Sequence, residues 1–498
     1  MSAGNKTEMA SGDETTGSPG LSLRIGWASA DITPASTVAI RGQFHVRISE
    51  GVADPLTATA LAIESDGGAV VFVSCDLISI SEALRDAVRE RVAGLIPGTS
   101  LVMNGTHTHC APGTHVPDRI LPLLESIGGF DYPRMSSEEY VEFASGRIAS
   151  AVEQAWNSRA PGKIAYGLGH AVVGRNRRAV YADGSAVMYG DTNSARFSHV
   201  EGYEDHSVNV LATYDRAGDL TGVVVNVPCP SQIDEHRFEI SADYWHDTRA
   251  ELRRRLGDDL FVLSQCSAAG DQSPRPPYDK AAEKRMRQLA GQDQRRAVAV
   301  EISDAVSKVL AVVEPTASGD LTVEHHAQQL DLPLAQPDEG QVADALAEAE
   351  AWAARFEEER NKLEQNPELR DEPRWYVDIT RAARRCAWYR RVAERLERRK
   401  EQPTQPVEVH VVRLGDVVIA TNPFEYYLDF GVYIKARSKA VQTFLVQLAG
   451  PGTYVPSPRS TTGGGYGSVP ASNPFGPDAG QLLAEKTVEV IDRLFRTT

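Results

Sequence analysis

Long apolar runs, cysteine and positive charge are all in short supply in this chain of 498 residues. No stretch reaches the roughly 18 uninterrupted apolar residues of a membrane span, which argues against a membrane-embedded protein. Residues 1–20, rich in Gly, Ser, Thr and acid, hold no apolar core for an export signal, so we expect a disordered tail on a cytoplasmic protein. The five cysteines, Cys75, Cys110, Cys229, Cys266 and Cys386, are odd in number, scattered and without a CxxC pair, which argues against a disulfide framework. Acids outnumber bases by 68 to 52, for a formal charge of -16 and a pI near 5.3. A surface of that sign repels phosphate backbones and anionic bilayers. The expected partner is a small-molecule substrate, with neither nucleic acid nor membrane.

What is present is the pattern of a large α/β protein. An apolar run at 69–74 reads as a buried strand ending in Cys75-Asp76, and 82–95 as the amphipathic helix that follows it. The runs 222–227 and 260–263 repeat the theme, each ending in polar or turn-forming residues (Pro228-Cys-Pro-Ser-Gln232 and Ser267-Ala-Ala-Gly-Asp-Gln-Ser-Pro274). Buried strands with polar ends predict mixed central sheets flanked by helices, with a site along one sheet edge. The β signal returns at 407–414 and 417–420, a hairpin that delivers Asn422-Pro-Phe-Glu425, before a Gly-rich segment bearing Tyr454 and Tyr466 and a final helix over 481–495.

Residues 338–402 differ in character. Apolar residues at three-four spacing sit first among acids (Val342, Leu346, Ala349, Ala353, Phe356, Leu363) and then among arginines (Ile379, Ala383, Cys386, Tyr389, Val392, Leu396). Asn366-Pro367 separates the two arms. This predicts an inserted antiparallel helical hairpin with complementary charge, serving as decoration or a homo-oligomer contact in preference to a lid. The rest of 21–498 is expected to form one catalytic unit.

Chemistry concentrates in Asn104-Gly-Thr-His107-Thr-His109-Cys-Ala-Pro-Gly113, where an apolar run breaks into a Pro-Gly turn. In an extended segment residues two apart point the same way, so His107 and His109 can face one cleft while Thr106 and Thr108 face the other side. Metal binding and a pair of solvated loop histidines both use this spacing.

Five motifs in order carry a resemblance: Ala30-Asp31-Ile32-Thr33-Pro34, Thr106-His-Thr-His-Cys-Ala-Pro-Gly113, Gly270-Asp271-Gln-Ser273-Pro274, Pro423-Phe-Glu425 and Gly452-Thr-Tyr454-Val-Pro. The chain resembles the neutral/alkaline, non-lysosomal ceramidase family over roughly residues 24–490. Those enzymes are zinc amidases that cleave an N-acyl bond in sphingolipids. The resemblance implies Zn2+ as cofactor, with His107, Glu425 and Tyr454 in its shell and His109 as the neighbour that orients or protonates the reacting group. It also implies Arg177 and Tyr466 as an oxyanion clamp, and Ser273 as either a nucleophile or a loop-holding residue.

Three departures set limits on it. Where the family has a histidine ligand, this chain reads Asn226-Val-Pro-Cys-Pro-Ser231-Gln; His236 is the expected replacement, with His246, Cys229 and His109 as alternatives. We expect no C-terminal β-sandwich after the final helix, and neither an export signal nor a membrane-docking patch of the family's kind. Arg41, Gln43, His45, residues 176–178 and Arg459 suit a sugar or a carboxylate-bearing ligand better than ceramide. The expected function is zinc-dependent hydrolysis of an amide or ester bond in a small polar substrate by an activated water. The alternatives are a zinc-dependent glycosidase-like hydrolase for a carbohydrate and a non-catalytic binding or assembly protein.

Overall fold

The computed structural model describes residues 23–130 and 134–496; the expected tail at 1–20 lies outside them. Eight strands form the larger sheet: β1 (Arg24–Asp31), β2 (Thr57–Ser65), β3 (Gly68–Cys75), β4 (Leu101–Gly105), β5 (Ala160–His170), β6 (Ser207–Asp215), β7 (Leu220–Val227) and β8 (Phe261–Cys266). Their order is β8-β7-β6-β5-β1-β2-β3-β4. The centre is antiparallel, while each edge is a parallel pair, β3 with β4 and β7 with β8. A second sheet runs β9 (Val323–Pro333), β10 (Thr404–Leu414), β11 (Val417–Thr421) and β12 (Gln442–Val446), with β11 and β12 parallel. The fold is therefore mixed α/β, as the alternation of strand and helix patterns predicts.

Both faces of both sheets are covered. On β2, Leu61 and Ile63 point to one side, where Trp27, Phe72 and Leu263 join Val412, Ile419 and Phe444 of the second sheet. Ala58, Ala60 and Ala62 point to the other, and their small size lets helices α1 (Glu82–Val92) and α2 (Ser137–Asn157) lie close. Helices α3 (Tyr244–Leu256) and α4 (Gln294–Val313) cover the far half of that face. The outer face of the second sheet is covered through Leu428 and Phe430, and by Leu483 and Ile491 of the final helix, Pro477–Leu494. The result is four layers: helices, sheet, sheet, helices. Each fully buried Leu or Phe in the seam between the sheets stabilises by about 1.5–3 kcal/mol relative to exposure, so the seam fixes how the two sheets present their strand ends.

The unusual segment forms two long helices, α5 (Glu339–Gln365) and α6 (Val377–Glu401). Asp338 caps the first in a reciprocal pair with Gln341, and Pro367 ends its run. The hairpin interrupts an antiparallel connection: Pro333 and Thr404, which flank it, sit opposite each other on β9 and β10. Its charges pair differently from the expectation. Arg355 bonds Glu358 and Glu359, and Arg381 bonds Asp378, so the ion pairs run within each arm. Ala345 against Val392 joins the arms, and Tyr376 and Thr380 receive the Ile48 and Val46 amides, tying α6 to the 39–50 loop.

Among the described residues no helix is long and apolar enough to cross a membrane. One buried ion pair ties the sheet to α3 just beneath the His107 segment. Asp76, fully buried after β3, receives both Arg249 guanidinium nitrogens at 2.7 Å and the Thr57 amide at 2.8 Å. We expect Arg249→Met, which leaves that carboxylate buried and unpaired, to lower stability by about 3–5 kcal/mol. Urea unfolding checks this; a loss under about 1 kcal/mol would mean that water reaches Asp76.

Candidate active site

The three parallel pairs, β3/β4, β7/β8 and β11/β12, send their C-terminal ends to one place, where loops rather than strands take over. Backbone bonds stitch these ends together: Gly105 N–H to the Leu448 carbonyl, Ser231 N–H to Thr106, Gly270 N–H to Tyr426. Glu425 and Tyr454 face each other in a two-residue parallel ladder, Glu425–Tyr426 with Tyr454–Val455. Close packing requires glycine at Gly270, where a Cβ would run into the Glu425 carbonyl oxygen.

The two imidazoles do meet, but not by strand alternation. β4 ends at Gly105, and His107 adopts a left-handed backbone with φ 68°, a conformation costing a non-glycine residue on the order of 1–3 kcal/mol. Thr106 and Thr108 hold the turn, bonding Asp76 and the Ser241 carbonyl. The ring centroids lie 4.9 Å apart, and the His107 and His109 Nε2 atoms 3.3 Å apart. Gly42, at φ 109°, leaves room for the second ring; a Cβ there would lie 2.5 Å from its Cγ.

Hydrogen-bond roles follow from which atoms can only donate. His107 Nδ1 lies 2.8 Å from the Ile78 carbonyl, an acceptor, so Nδ1 carries a proton and Nε2 is the ring atom turned toward Glu425. Arg177 is donor-only, and its Nη1 is 3.0 Å from Gln232 Oε1, so the glutamine amide nitrogen must face His109 Nε2, at 2.6 Å. That nitrogen is then an acceptor, and the His109 proton sits on Nδ1, 3.5 Å from Glu235 Oε2. The one lone pair of His109 Nε2 is taken up by the Gln232 bond, and His107 Nε2 stands 3.3 Å from it and 3.2 Å from Glu425 Oε2. An imidazole nitrogen and a carboxylate oxygen at that spacing are held by a proton or by a metal cation between them.

The cations nearby are fixed. Arg177 Nη2 donates to the Gly270 carbonyl at 2.9 Å and to the Tyr454 hydroxyl at 3.2 Å, and stands 4.0 Å from Glu425; its Nη1 also reaches Tyr189. Burial works to raise the Glu425 pKa, but His107, Arg177 and the Tyr454 hydroxyl together outweigh it and hold the carboxyl below its ordinary range. Burial holds His109 well below the usual imidazole range, helped by His107, Arg47 and Arg177. Burial beside Glu425 also pushes Tyr454 well up, and Tyr466 up to about 12. A cavity of about 240 Å³ opens onto His107, Glu425, Tyr454 and Tyr466. A larger one, about 710 Å³, lies beyond Tyr466 and Trp388 and touches none of the other three.

The structure thus brings together His107, His109, Arg177, Glu425, Tyr454 and Tyr466. His236 is a correction: its side chain is 67% exposed and faces Glu235 Oε1, so Glu235 stands between it and His109. Cys229 keeps its thiol in the core, where burial pushes its pKa well up. Of the candidates for the absent imidazole, His109 is the one set against His107. Ser273 is fully buried in a short ladder with Arg175 and accepts the Arg275 amide, while the neighbouring Asp271 takes the Asn176 side chain and the Leu428 amide. These bonds give the Gly270–Pro274 turn a holding role behind Arg177.

Among the described residues no group of three or more His, Cys, Asp or Glu forms a ready cation cage. What is there is one free imidazole nitrogen, one ionised carboxylate and the Tyr454 oxygen, with His109 engaged by Gln232. An imidazole nitrogen, a carboxylate and a phenol oxygen are donor types that fit a divalent cation such as zinc.

These features define the class first: a four-layer α/β protein with a polar site of imidazole, carboxylate and phenol groups at the ends of parallel strand pairs. Residues 23–186 match the family model "Neutral/alkaline non-lysosomal ceramidase, N-terminal". Two solved structures share the fold: "Ceramidase complexed with C2" (TM-score 0.62, 16% identity, 95% of this chain and 75% of that one) and neutral ceramidase from Pseudomonas aeruginosa (TM-score 0.63, 18% identity, with the same coverage). No curated protein matches the sequence. The resemblance to the neutral ceramidase family is thus found twice, in the sequence of the first part of the chain and in the fold of nearly all of it.

Gln232, Glu235 and Tyr189 are parts of the site that residue patterns did not single out. The one available signal was that Gln232 closes the segment lacking the expected histidine. Gln232→Ala strips a partner from both Arg177 and His109. We expect it to cost about 1–3 kcal/mol in urea unfolding and to change the His109 ring resonances in NMR. Unchanged resonances and stability would contradict the bonding scheme.

Proposed function

We propose that this protein is a hydrolase that opens an amide or ester bond of a small polar substrate with water, and that His107, Glu425 and Tyr454 hold a zinc ion for the task. The observation that carries the reading is the meeting of His107 Nε2 with Glu425 Oε2 at 3.2 Å and with His109 Nε2 at 3.3 Å, at the mouth of a cavity. The family likeness supports the hydrolase class. Zinc bound there supplies Lewis acidity and makes water reactive near neutral pH.

The chain's own residues then have defined tasks. His109, kept neutral, accepts the proton that the attacking water gives up at Nε2, once Gln232 yields, and returns it to the leaving nitrogen or oxygen as the carbonyl carbon to heteroatom bond breaks. Glu235 beside Nδ1 steadies the imidazolium formed meanwhile. The Arg177 guanidinium, held by Gln232, Tyr189 and the Gly270 carbonyl, needs no reorganisation to face a developing oxyanion. Tyr466, its pKa pushed up to about 12, keeps its proton and donates to the same oxygen. Ser273, with its Oγ bonded to a backbone amide, is left to positioning, so water is the nucleophile in this scheme.

His107→Ala and Glu425→Gln are each expected to lower bound zinc and to reduce kcat/KM by about 100-fold or more, whereas Ser273→Ala keeps turnover within about tenfold of the parent. A panel of N-acyl, ester and nitrophenyl-glycoside compounds, with and without chelator, measures this and identifies the bond cleaved. Chelator-insensitive turnover, or cleavage of glycosides alone, would overturn the reading.

A further inference from the structure

The cavity that opens onto His107 and Glu425 is walled on its opposite side by guanidinium groups. Arg384, Arg391 and Arg395 come from α6 at spacings of seven and four, with Trp388 in the same stripe, and Arg41 comes from the loop after the short Ala39–Ile40 strand. A second cavity of about 450 Å³ shares Arg41, Trp388 and Arg391 with the first and adds Arg119, so the basic wall extends outward. None of these five arginines has a carboxylate within 4.0 Å among the described residues. Arg178, by contrast, is buried against Glu201 at 2.6 Å. Arg384 and Arg395 are held by backbone carbonyls only, those of Gln43 and His45 and those of Pro470 and Ala471. Arg41 and Arg391 have no hydrogen bond, ion pair or ring contact for their guanidinium groups among the described residues. Asp118 is the acid felt by Arg41, and its carboxylate is already occupied by the Ile120, Leu121 and Ser137 amides.

A chain with a net charge of -16 has acids enough to neutralise such a cluster, and elsewhere it does so. Burial and the neighbouring guanidiniums of Arg41, Arg391 and Arg47 hold the Arg384 pKa down to about 9, a sign of repulsion without compensation. Planar forks converging on one cavity match the geometry of an oxyanion ligand, which would turn the repulsion into binding.

We infer that the inserted hairpin builds an anion-binding subsite, so that the substrate carries a carboxylate, phosphate or sulfate group seated on Arg41, Arg384, Arg391 and Arg395 while its scissile bond lies at His107 and Glu425. This rests on the hydrolase reading above for the bond cleaved, but not for the binding. It gives the hairpin the task of selecting the substrate: an anionic polar compound is held, and a neutral lipid finds no partner for four cations.

The test uses the full chain, after chelator treatment, in calorimetric titration and thermal melting with succinate, inorganic phosphate or inorganic sulfate, against sodium chloride at equal ionic strength. At least one anion is expected to bind saturably and raise Tm beyond the chloride control, and the one that does so separates a carboxylate from a phosphate or sulfate requirement. Arg41→Gln and Arg391→Gln should each weaken that binding at least tenfold while leaving the anion-free Tm unchanged or higher, because neither guanidinium has a partner to lose. Arg391→Lys should recover part of the affinity. No response beyond chloride, or both glutamine variants binding like the parent, overturns the inference. If hydrolysis is chelator-sensitive but anions do not bind, the subsite falls and the hydrolase reading stands; anion binding without any hydrolysis gives the reverse.

Discussion

One bond orders the whole site: the 2.8 Å contact between His107 Nδ1 and the Ile78 carbonyl. It holds a proton on Nδ1 and so turns Nε2 toward Glu425 and the second imidazole. The ring is in place only because His107 accepts a left-handed backbone, and the surrounding turn compensates for that strain through Thr106, Thr108 and the buried Asp76 beneath them. A backbone carbonyl cannot rearrange its charge. The direction in which it turns Nε2 is therefore a permanent property of the fold, and Glu425 and Arg177 are set around that atom.

The four-layer arrangement supplies the rest. Parallel strand pairs end in loops that need not return directly, and three such pairs from two different sheets open at one place. The sheet-to-sheet seam of Trp27, Leu61, Phe72, Ile419 and Phe444 holds those ends in register with each other, so that Glu425 from one sheet can meet His107 from the other at hydrogen-bonding distance. The hairpin enters where β9 turns into β10. An insertion there leaves the ladder intact, and α6 lies across the mouth of the site with its arginine stripe turned inward.

Strand and helix positions were legible in the residues because periodicity is a local property: the apolar run at 69–74 is β3, and Asn366-Pro367 does separate the two long helices. The partners His107, Glu425, Tyr454, Arg177 and Tyr466 were legible only through the order of motifs, since nothing local says that residues more than 300 positions apart will touch. Three things were not legible. Gln232 carries no metal-binding signature, yet it sets the tautomer of His109. His236 has the right chemistry but sits on the solvent side of Glu235. The arginines of α6 read as the complement of an acidic arm, whereas in the fold the acids of α5 pair within their own helix and leave the inward arginines unanswered.

The central claim is that His107, Glu425 and Tyr454 surround a cation through nitrogen and oxygen alone. X-ray absorption at the zinc K-edge, on the chain loaded with zinc and dialysed, tests it most directly. The account predicts retained zinc with a first shell of N and O atoms at about 2.0–2.1 Å and an outer imidazole signal that His107→Ala removes. Zinc lost on dialysis, or a sulfur shell at about 2.3 Å, would contradict it.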